Sequence, residues 1–214
     1  TQIYTFNTLS TGNHTNVTWR GVGTFDQLTI RDADQYGGAD NPNGSRYSVQ
    51  GIDGVSSTTL SLASPHAYFG FWWSAGDASN MIQFYSGSAL VAQFTTATLL
   101  NKIASSREYY GNPTTGTYAG RNSGEAYAFV NFFGENGTTW DRIVFSNSNN
   151  GSGFESDNYT DRAQAYGYYS GEDPSKLPGV QLARASGTTI TVIPEPSAML
   201  LCLAGIVPFF RRKR

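Results

Sequence analysis

Three aspartates, Asp32, Asp34 and Asp40, are the residues of this chain best suited to bind a metal ion. They lie in a glycine-rich segment that also contains Asn43. Calcium takes roughly six to eight oxygen ligands, and oxygen donors at positions i and i+2 before a glycine turn suit it. The segment is no EF-hand, because Tyr36 takes the fifth position of such a loop and Asn43 the twelfth. A solvated loop whose Asp and Asn residues form Asx turns is the favoured interpretation, and calcium is the candidate cofactor if the segment binds a metal ion.

Aromatic side chains form a second candidate set, because exposed rings can stack on sugars. Trp72 and Trp73 are adjacent, so in a strand they face opposite sides and at least one belongs to the core. Tyrosine pairs in a loop or near a turn are better suited to an exposed glycan-binding platform: Tyr109, Tyr110, Tyr168 and Tyr169. Core packing of the aromatic residues is the alternative.

Five acidic residues could supply the paired carboxylates of a glycoside hydrolase: Glu125, Glu135, Glu155, Asp141 and Asp157. One carboxyl group would protonate the leaving oxygen, and the other would act as nucleophile or base. The sequence brings no two of them together, and an acidic chain carries this many by chance. A non-enzymatic protein is therefore favoured over a hydrolase.

His14 and His66 are the only histidines. Neither has a cysteine or histidine neighbour at metal-ligand spacing, and no motif such as G-x-S-x-G accompanies them. A Ser-His-Asp triad would need one of them buried beside a serine. We expect both to be ordinary surface or turn residues.

The last 21 residues have three parts. They are Pro194, Glu195 and Pro196, then an uncharged and mostly apolar run over 197–210, then Arg211, Arg212, Lys213 and Arg214. Each proline biases the preceding residue toward extended backbone, which leaves a peptide that a protease cleft could accept. The apolar run would span roughly 21 Å as a helix, against a hydrocarbon core of about 30 Å, so it is short for a permanent anchor.

The basic end predicts the orientation of the chain. Basic residues stay cytoplasmic by the positive-inside rule, which places everything before the apolar run outside the inner membrane. An exported body requires an N-terminal signal peptide. The chain opens at Thr1 without one, so we expect that such a signal is removed or lies outside this numbering. The predicted location is the cell envelope, cell surface or extracellular matrix.

The composition predicts an all-β chain. Charged residues make up 14%, against about 25% in typical domains, and aromatic residues also reach 14%. These values exclude a coiled coil or helix bundle, and no Gly-X-Y period indicates collagen. The first 193 residues carry ten basic side chains, scattered singly, so nucleic acid is excluded as a partner. The single cysteine, Cys202, excludes an intrachain disulfide.

Short β-rich stretches recur at intervals of about ten residues and are separated by Gly or Asn turns, which predicts a jelly-roll-like antiparallel β-sandwich. The run 67–73 is apolar on both faces and predicts a central strand. A short helix is predicted over 97–103, behind a threonine cap. We also expect the Asp77 side chain to fix the turn that ends at Asn80.

Three regions follow from these signals. Residues 1–170 are predicted to form the exported β-sandwich. Residues 171–193 are either a stalk and linker or, at their end, a last strand. Residues 194–214 form a separate C-terminal segment, whose apolar run predicts a short hydrophobic helix.

The string Val192-Ile193-Pro194-Glu195-Pro196-Ser197, with the apolar run and basic end after it, resembles the PEP-CTERM sorting signal of bacterial exosortase substrates. The resemblance implies recognition by exosortase, an integral-membrane cysteine peptidase. It also implies cleavage near the Pro-Glu-Pro motif and transfer to the cell surface or extracellular matrix. Four strings of the body, at 32–38, 68–77, 122–132 and 153–158, also resemble exosortase-dependent surface proteins that carry this tail. That family implies no activity.

The sequence thus predicts a non-enzymatic surface or biofilm-matrix protein. Its partners are exosortase and, before processing, the membrane through 197–210. The alternative is a lectin-like carbohydrate-binding module whose partner is extracellular polysaccharide, and a glycoside hydrolase ranks below it.

Overall fold

The computed structural model describes residues 1–39, 45–52, 54–114, 116–134, 137–165, 180–183 and 188–193. The predicted sorting residues 194–214, together with Asp40, Tyr168 and Tyr169, lie outside these ranges, as does the predicted C-terminal helix.

The described residues form antiparallel strands, one short helix and a 3₁₀ turn. The strands are β1 Gln2–Tyr4, β2 Gly12–Trp19, β3 Gly23–Asp32, β4 Arg46–Gly51, β5 Ser57–His66, β6 Tyr68–Gly76, β7 Asn80–Ser86, β8 Ala89–Thr95, β9 Ala126–Gly134, β10 Trp140–Asn147, β11 Gly153–Arg162, β12 Val180–Ala183 and β13 Thr188–Ile193. The helix α1 is Thr96–Ile103, and the 3₁₀ turn is Arg107–Tyr109.

Hydrogen bonds link the strands in the order β12-β13-β9-β6-β11-β4-β3-β5-β10-β7-β8, with β1 added to β11 and β2 to β3. The sheet curls, so strands far apart in this order face each other across the core. Ring centroids of Phe69 on β6 and Phe145 on β10 are 5.8 Å apart, and those of Phe84 on β7 and Phe132 on β9 are 4.8 Å apart. The predicted all-β sandwich is therefore confirmed.

Strand β6 is the central strand that the sequence predicts. It pairs with β11 on one side and β9 on the other, and it is buried on both faces. Phe71 and Trp73 point into the main core, whereas Trp72 packs with Tyr127 in a second cluster on the opposite face. The two adjacent tryptophans therefore lie on opposite sides of the sheet, because side chains alternate along a strand.

Helix α1 starts where its sequence cap predicts. Thr95 and Thr98 form a reciprocal capping box, which satisfies backbone N–H groups that the first turn leaves without partners. Leu99 and Ile103 lie on the buried side of the helix. Within the described residues, no helix is long and apolar enough to cross a bilayer.

Strand β11 is one of the longest strands of the sheet. Its pairing with β6 continues to Arg162 through a register shift between Asp157 and Thr160. Asn158 lies in this bulge with a φ of 51°, a left-handed conformation that asparagine tolerates better than most residues. The bulge lets one strand carry buried groups at both of its ends.

The last described segment, Thr188–Ile193, is a strand rather than a stalk. It pairs with β9, and Ile193 lies opposite Phe129. The sheet thus continues to the residue that precedes Pro194.

The packing of Phe71 predicts a large loss of stability on truncation. Its ring lies within about 6 Å of those of Trp73, Phe132, Phe145, Phe154 and Tyr159. We expect Phe71→Ala to lower the free energy of unfolding by about 3–5 kcal/mol, because it removes contacts with both layers. Urea unfolding followed by tryptophan fluorescence measures this loss. Leu90→Ala, at a side chain that is 51% exposed, should cost less than about 1 kcal/mol, and equal losses would contradict the assignment of the core.

Candidate functional site

A pocket of about 230 Å³ lies on the outer face of the sheet, beside the first residues of β11. Its wall includes three carboxylate residues, Asp77, Glu125 and Glu155, together with Arg31 and Tyr36. Glu155 follows the core residue Phe154 on β11, so alternation turns its side chain away from the core. We call this site the acidic pocket.

Glu155 is buried at the base of the acidic pocket, with 6% of its surface exposed. A Cβ atom on Gly153 would lie 1.9 Å from Glu155 Oε1, so the missing side chain at 153 makes room for the carboxyl group. Among the described residues, only the backbone N–H of Glu155 itself hydrogen-bonds to this carboxyl group. The group is therefore enclosed without a partner side chain.

The electrostatics of the acidic pocket favour a protonated Glu155. Burial raises the pKa of Glu155 to about 8, and the charges of Asp34, Asp77 and Glu125 act in the same direction. Burial also raises the pKa of Glu125, and Asp77 adds to that shift. Glu125 Oε2 is buried and has no hydrogen-bond partner within the described part of the chain. Near neutral pH the pocket therefore offers a hydroxyl donor on Glu155 beside the acceptor oxygens of Asp77 and Glu125.

The loop that follows β3 forms one side of the acidic pocket. Asp34 Oδ1 accepts hydrogen bonds from the backbone N–H groups of Tyr36 at 2.8 Å and Gly37 at 3.0 Å, which is an Asx-type turn. Tyr47 donates its hydroxyl proton to Asp34 Oδ2 at 3.0 Å. The carbonyl of Gln35 accepts a further hydrogen bond from the Tyr127 hydroxyl at 2.8 Å. These bonds hold the loop down and leave Tyr36 41% exposed.

Asp77 reaches the pocket from the turn after β6. The expectation that its side chain fixes this turn is wrong, because the main-chain carbonyl of Asp77 accepts the closing bond from the Asn80 N–H at 3.2 Å. Ala75, just before it, has a φ of 45°, and the pairing of β6 with β9 shifts between Trp73 and Gly76. This irregular end of β6 leaves the Asp77 carboxylate in the pocket wall.

The predicted calcium ligands have other partners in the described structure. Arg46 Nε lies 3.1 Å from Asp32 Oδ1, and Asp34 is engaged in its turn and with Tyr47. Asp40 lies outside the described residues. Within those residues, no group of three His, Cys, Asp or Glu side chains is arranged to hold a metal ion. Calcium binding that includes Asp40 stays a prediction.

The predicted tyrosine platform is wrong in its first half. Tyr109 is 3% exposed and belongs to the main core, because the 3₁₀ turn Arg107–Tyr109 directs it inward. Tyr110 is half-buried and packs against the same core. Tyr168 and Tyr169 lie outside the described residues. The exposed aromatic residue beside a pocket is Tyr36, which the sequence pattern did not single out.

Of the five candidate hydrolase carboxylates, the structure brings Glu125 and Glu155 together in the acidic pocket. Asp141 instead accepts a hydrogen bond from the Gly87 N–H at the β7–β8 hairpin. Asp157 is buried and accepts from the Ala39 N–H at 2.9 Å. Glu135 lies outside the described residues.

The histidines differ from the sequence expectation. His14 is half-buried and bonds through its ring to the Ser10 carbonyl. His66 is 6% exposed, so the expectation of a surface or turn residue is wrong for it.

A scan against protein-family models found no matching family, and a search of curated proteins found no match.

The buried Glu155 predicts a pH-dependent stability. Its pKa is about 8 in the folded protein, against an ordinary value of 4.5, so the folded state holds the proton more tightly than the unfolded state. The stabilising effect of that proton is fully present below about pH 4.5 and is lost as the pH rises through about 8. We expect Glu155→Gln to flatten this loss and to be the more stable protein at pH 9, by a few kcal/mol, since one pKa unit corresponds to about 1.4 kcal/mol.

Chemical unfolding at pH 4 and pH 9 measures the difference. Glu108→Gln, at an exposed position, serves as the matched control and should follow the native protein at both values. A Glu155→Gln variant that is less stable than the native chain at pH 9 would show that the Glu155 carboxylate has a stabilising partner.

Proposed function

We propose that this protein is an exported envelope protein that an exosortase-type membrane peptidase processes at its C-terminal signal. The observation that carries the proposal is the order of features in 194–214: the Pro-Glu-Pro motif, an apolar run too short for a permanent anchor, and a basic end. The chain is a substrate in that reaction. The attacking thiol belongs to the peptidase, and this chain supplies an extended peptide and its position in the membrane.

The end of β13 adds a geometric constraint to this proposal. Ile193 is still paired with β9, and three residues, 194–196, separate it from the apolar run. Three extended residues reach about 10 Å. Cleavage near the motif would therefore occur within about 10 Å of the folded body, unless β13 first detaches from β9. A peptidase with an open, shallow cleft fits such a substrate.

Co-expression of the chain with an exosortase tests the proposal. We expect the surface fraction to hold a shortened chain that lacks 197–214, seen by intact-mass spectrometry, because the peptidase cuts near Pro194-Glu195-Pro196. Glu195→Ala should retain the full mass, whereas Glu108→Ala, an exposed acidic control in the body, should be processed like the native chain. Native surface protein that ends at Arg214 would contradict the proposal.

The acidic pocket favours a second function, glycan binding. Carboxylates of Asp77 and Glu125 can accept hydrogen bonds from sugar hydroxyls, and the protonated Glu155 can donate one. The exposed ring of Tyr36 offers an apolar face at the rim. A pocket with convergent polar groups and a perturbed carboxyl pKa is a typical ligand site. In this proposal the body binds extracellular polysaccharide after sorting.

Titration calorimetry with oligosaccharides released from the extracellular matrix tests the second function. We expect Tyr36→Ala and Glu125→Gln to weaken binding by about tenfold or more, because each removes a contact in the pocket. Tyr85→Ala, on β7 and outside the pocket lining, should bind like the native protein. Absence of binding by the native chain would refute the proposal, and shortening of the oligosaccharides would instead identify a glycoside hydrolase.

A further inference from the structure

A second polar cluster lies where β5 passes into β6, and none of its three residues lines the acidic pocket. Its members are Ser64 and His66 on β5 and Asp161 on β11. Asp161 is fully buried and His66 is 6% exposed, whereas Ser64 is exposed. We call this set the β5–β11 cluster.

The hydrogen bonds of the β5–β11 cluster form a chain from Asp161 through His66 to Ser64. His66 Nδ1 bonds to Asp161 Oδ2, and Ser64 Oγ lies 3.2 Å from His66 Nε2. A proton on Nδ1, donated to the carboxylate, leaves the lone pair on Nε2 facing the serine hydroxyl. This connectivity, carboxylate to Nδ1 and Nε2 to hydroxyl, is that of a Ser-His-Asp triad.

The fold explains why these three residues meet. Ser64 and His66 flank Pro65 at the irregular end of β5, and their side chains meet there, with Ser64 Oγ 3.2 Å from His66 Nε2. Asp161 is 95 residues away in sequence and reaches His66 from β11, beyond the bulge at Asn158. The buried carboxylate of Asp161 therefore fixes the imidazole through Nδ1, and Nε2 faces the exposed hydroxyl group of Ser64.

The charge state of Asp161 suits this role. Burial raises the pKa of Asp161 to about 6, while the facing His66 lowers it. The carboxyl group is therefore mostly ionised at pH 7 and can hold the Nδ1 proton. Besides burial, the charges of Arg162 and Asp161 also affect the pKa of Tyr68. The guanidinium carbon of Arg162 lies 4.0 Å from the centre of the Tyr68 ring.

We propose that Ser64 is a nucleophile with His66 as its general base, that Asp161 positions the imidazole, and that the protein hydrolyses carboxylic esters. This activity goes beyond sorting and glycan binding. It also departs from the expectation of a non-enzymatic protein, because that expectation set the histidines aside as surface residues.

The reaction balances with water as the only co-reactant. Ser64 Oγ bonds to the ester carbonyl carbon while its proton passes to His66 Nε2. The bond from that carbon to the alcohol oxygen then breaks, and His66 returns the proton to the leaving alkoxide. Water attacks the acyl-serine, its proton passes through His66 to Ser64 Oγ, and the carboxylic acid leaves. Because Ser64 is exposed, the substrate class is a short acyl ester carried on the surface of a larger molecule.

Labelling of the full chain with a fluorophosphonate, a reagent that phosphonylates activated serines, tests this inference. Peptide mass spectrometry should find the adduct at Ser64, and 4-nitrophenyl acetate should be hydrolysed. Ser64→Ala should abolish both, whereas Ser61→Ala, an exposed serine on the same strand, should change neither. His66→Gln should slow labelling by about 100-fold or more. No adduct at Ser64 in the native chain, or equal rates in native and His66→Gln proteins, would overturn the proposal.

The Asp161→Asn variant tests whether Asp161 positions the His66 imidazole or only stabilises the fold. Asp161→Asn should lower the labelling rate by about 100-fold while the variant stays folded by circular dichroism. A folded variant that labels at the native rate would assign Asp161 to stability alone. If it does not fold, the Ser64→Ala and Ser61→Ala comparison still decides the nucleophile, since both positions are exposed.

Discussion

The burial of three acidic side chains on one strand, β11, is the constraint on which the rest of the structure depends. Glu155, Asp157 and Asp161 are all at most 6% exposed, although burial of an uncompensated charge is strongly unfavourable. Each acid is accommodated differently. Asp157 accepts backbone and hydroxyl hydrogen bonds from the loop that follows β3, and Asp161 bonds to His66. Glu155 has no partner side chain among the described residues and holds its proton instead. The aromatic core makes this arrangement possible, because Phe154 and Tyr159 fix the same strand between two layers.

The buried acids of β11 therefore differ in role: Asp157 is structural, whereas Glu155 lies in a candidate functional site. Asp157 joins the loop to the sheet, and its bonds explain its burial completely. Glu155 gains no such compensation, and natural proteins tolerate locally unfavourable groups mainly at functional sites. The acidic pocket and the β5–β11 cluster therefore lie at the two ends of β11, on either side of the bulge at Asn158.

The fold could be predicted from local patterns, whereas the sites could not. The apolar run of β6 and the threonine cap of α1 are local signals, and the structure confirms both. The pocket depends on the packing of β11 against loops distant in sequence, and His66 meets Asp161 across 95 residues, which no motif spacing encodes. Tyr109 was misassigned because a 3₁₀ turn can direct a loop residue into the core. The Pro-Glu-Pro motif can be read without the fold because it is a contiguous string, and its role stays a prediction.

A carbon-detected NMR titration of the Glu155 carboxyl group tests the central claim most directly, namely that β11 encloses an acid without a stabilising side-chain partner among the residues that the structure describes. With uniformly labelled protein and Glu155→Gln to assign the resonance, the account predicts a titration midpoint near 8. A midpoint near the ordinary value of 4.5 would contradict it, because the carboxylate would then be either hydrated or well paired in the folded protein.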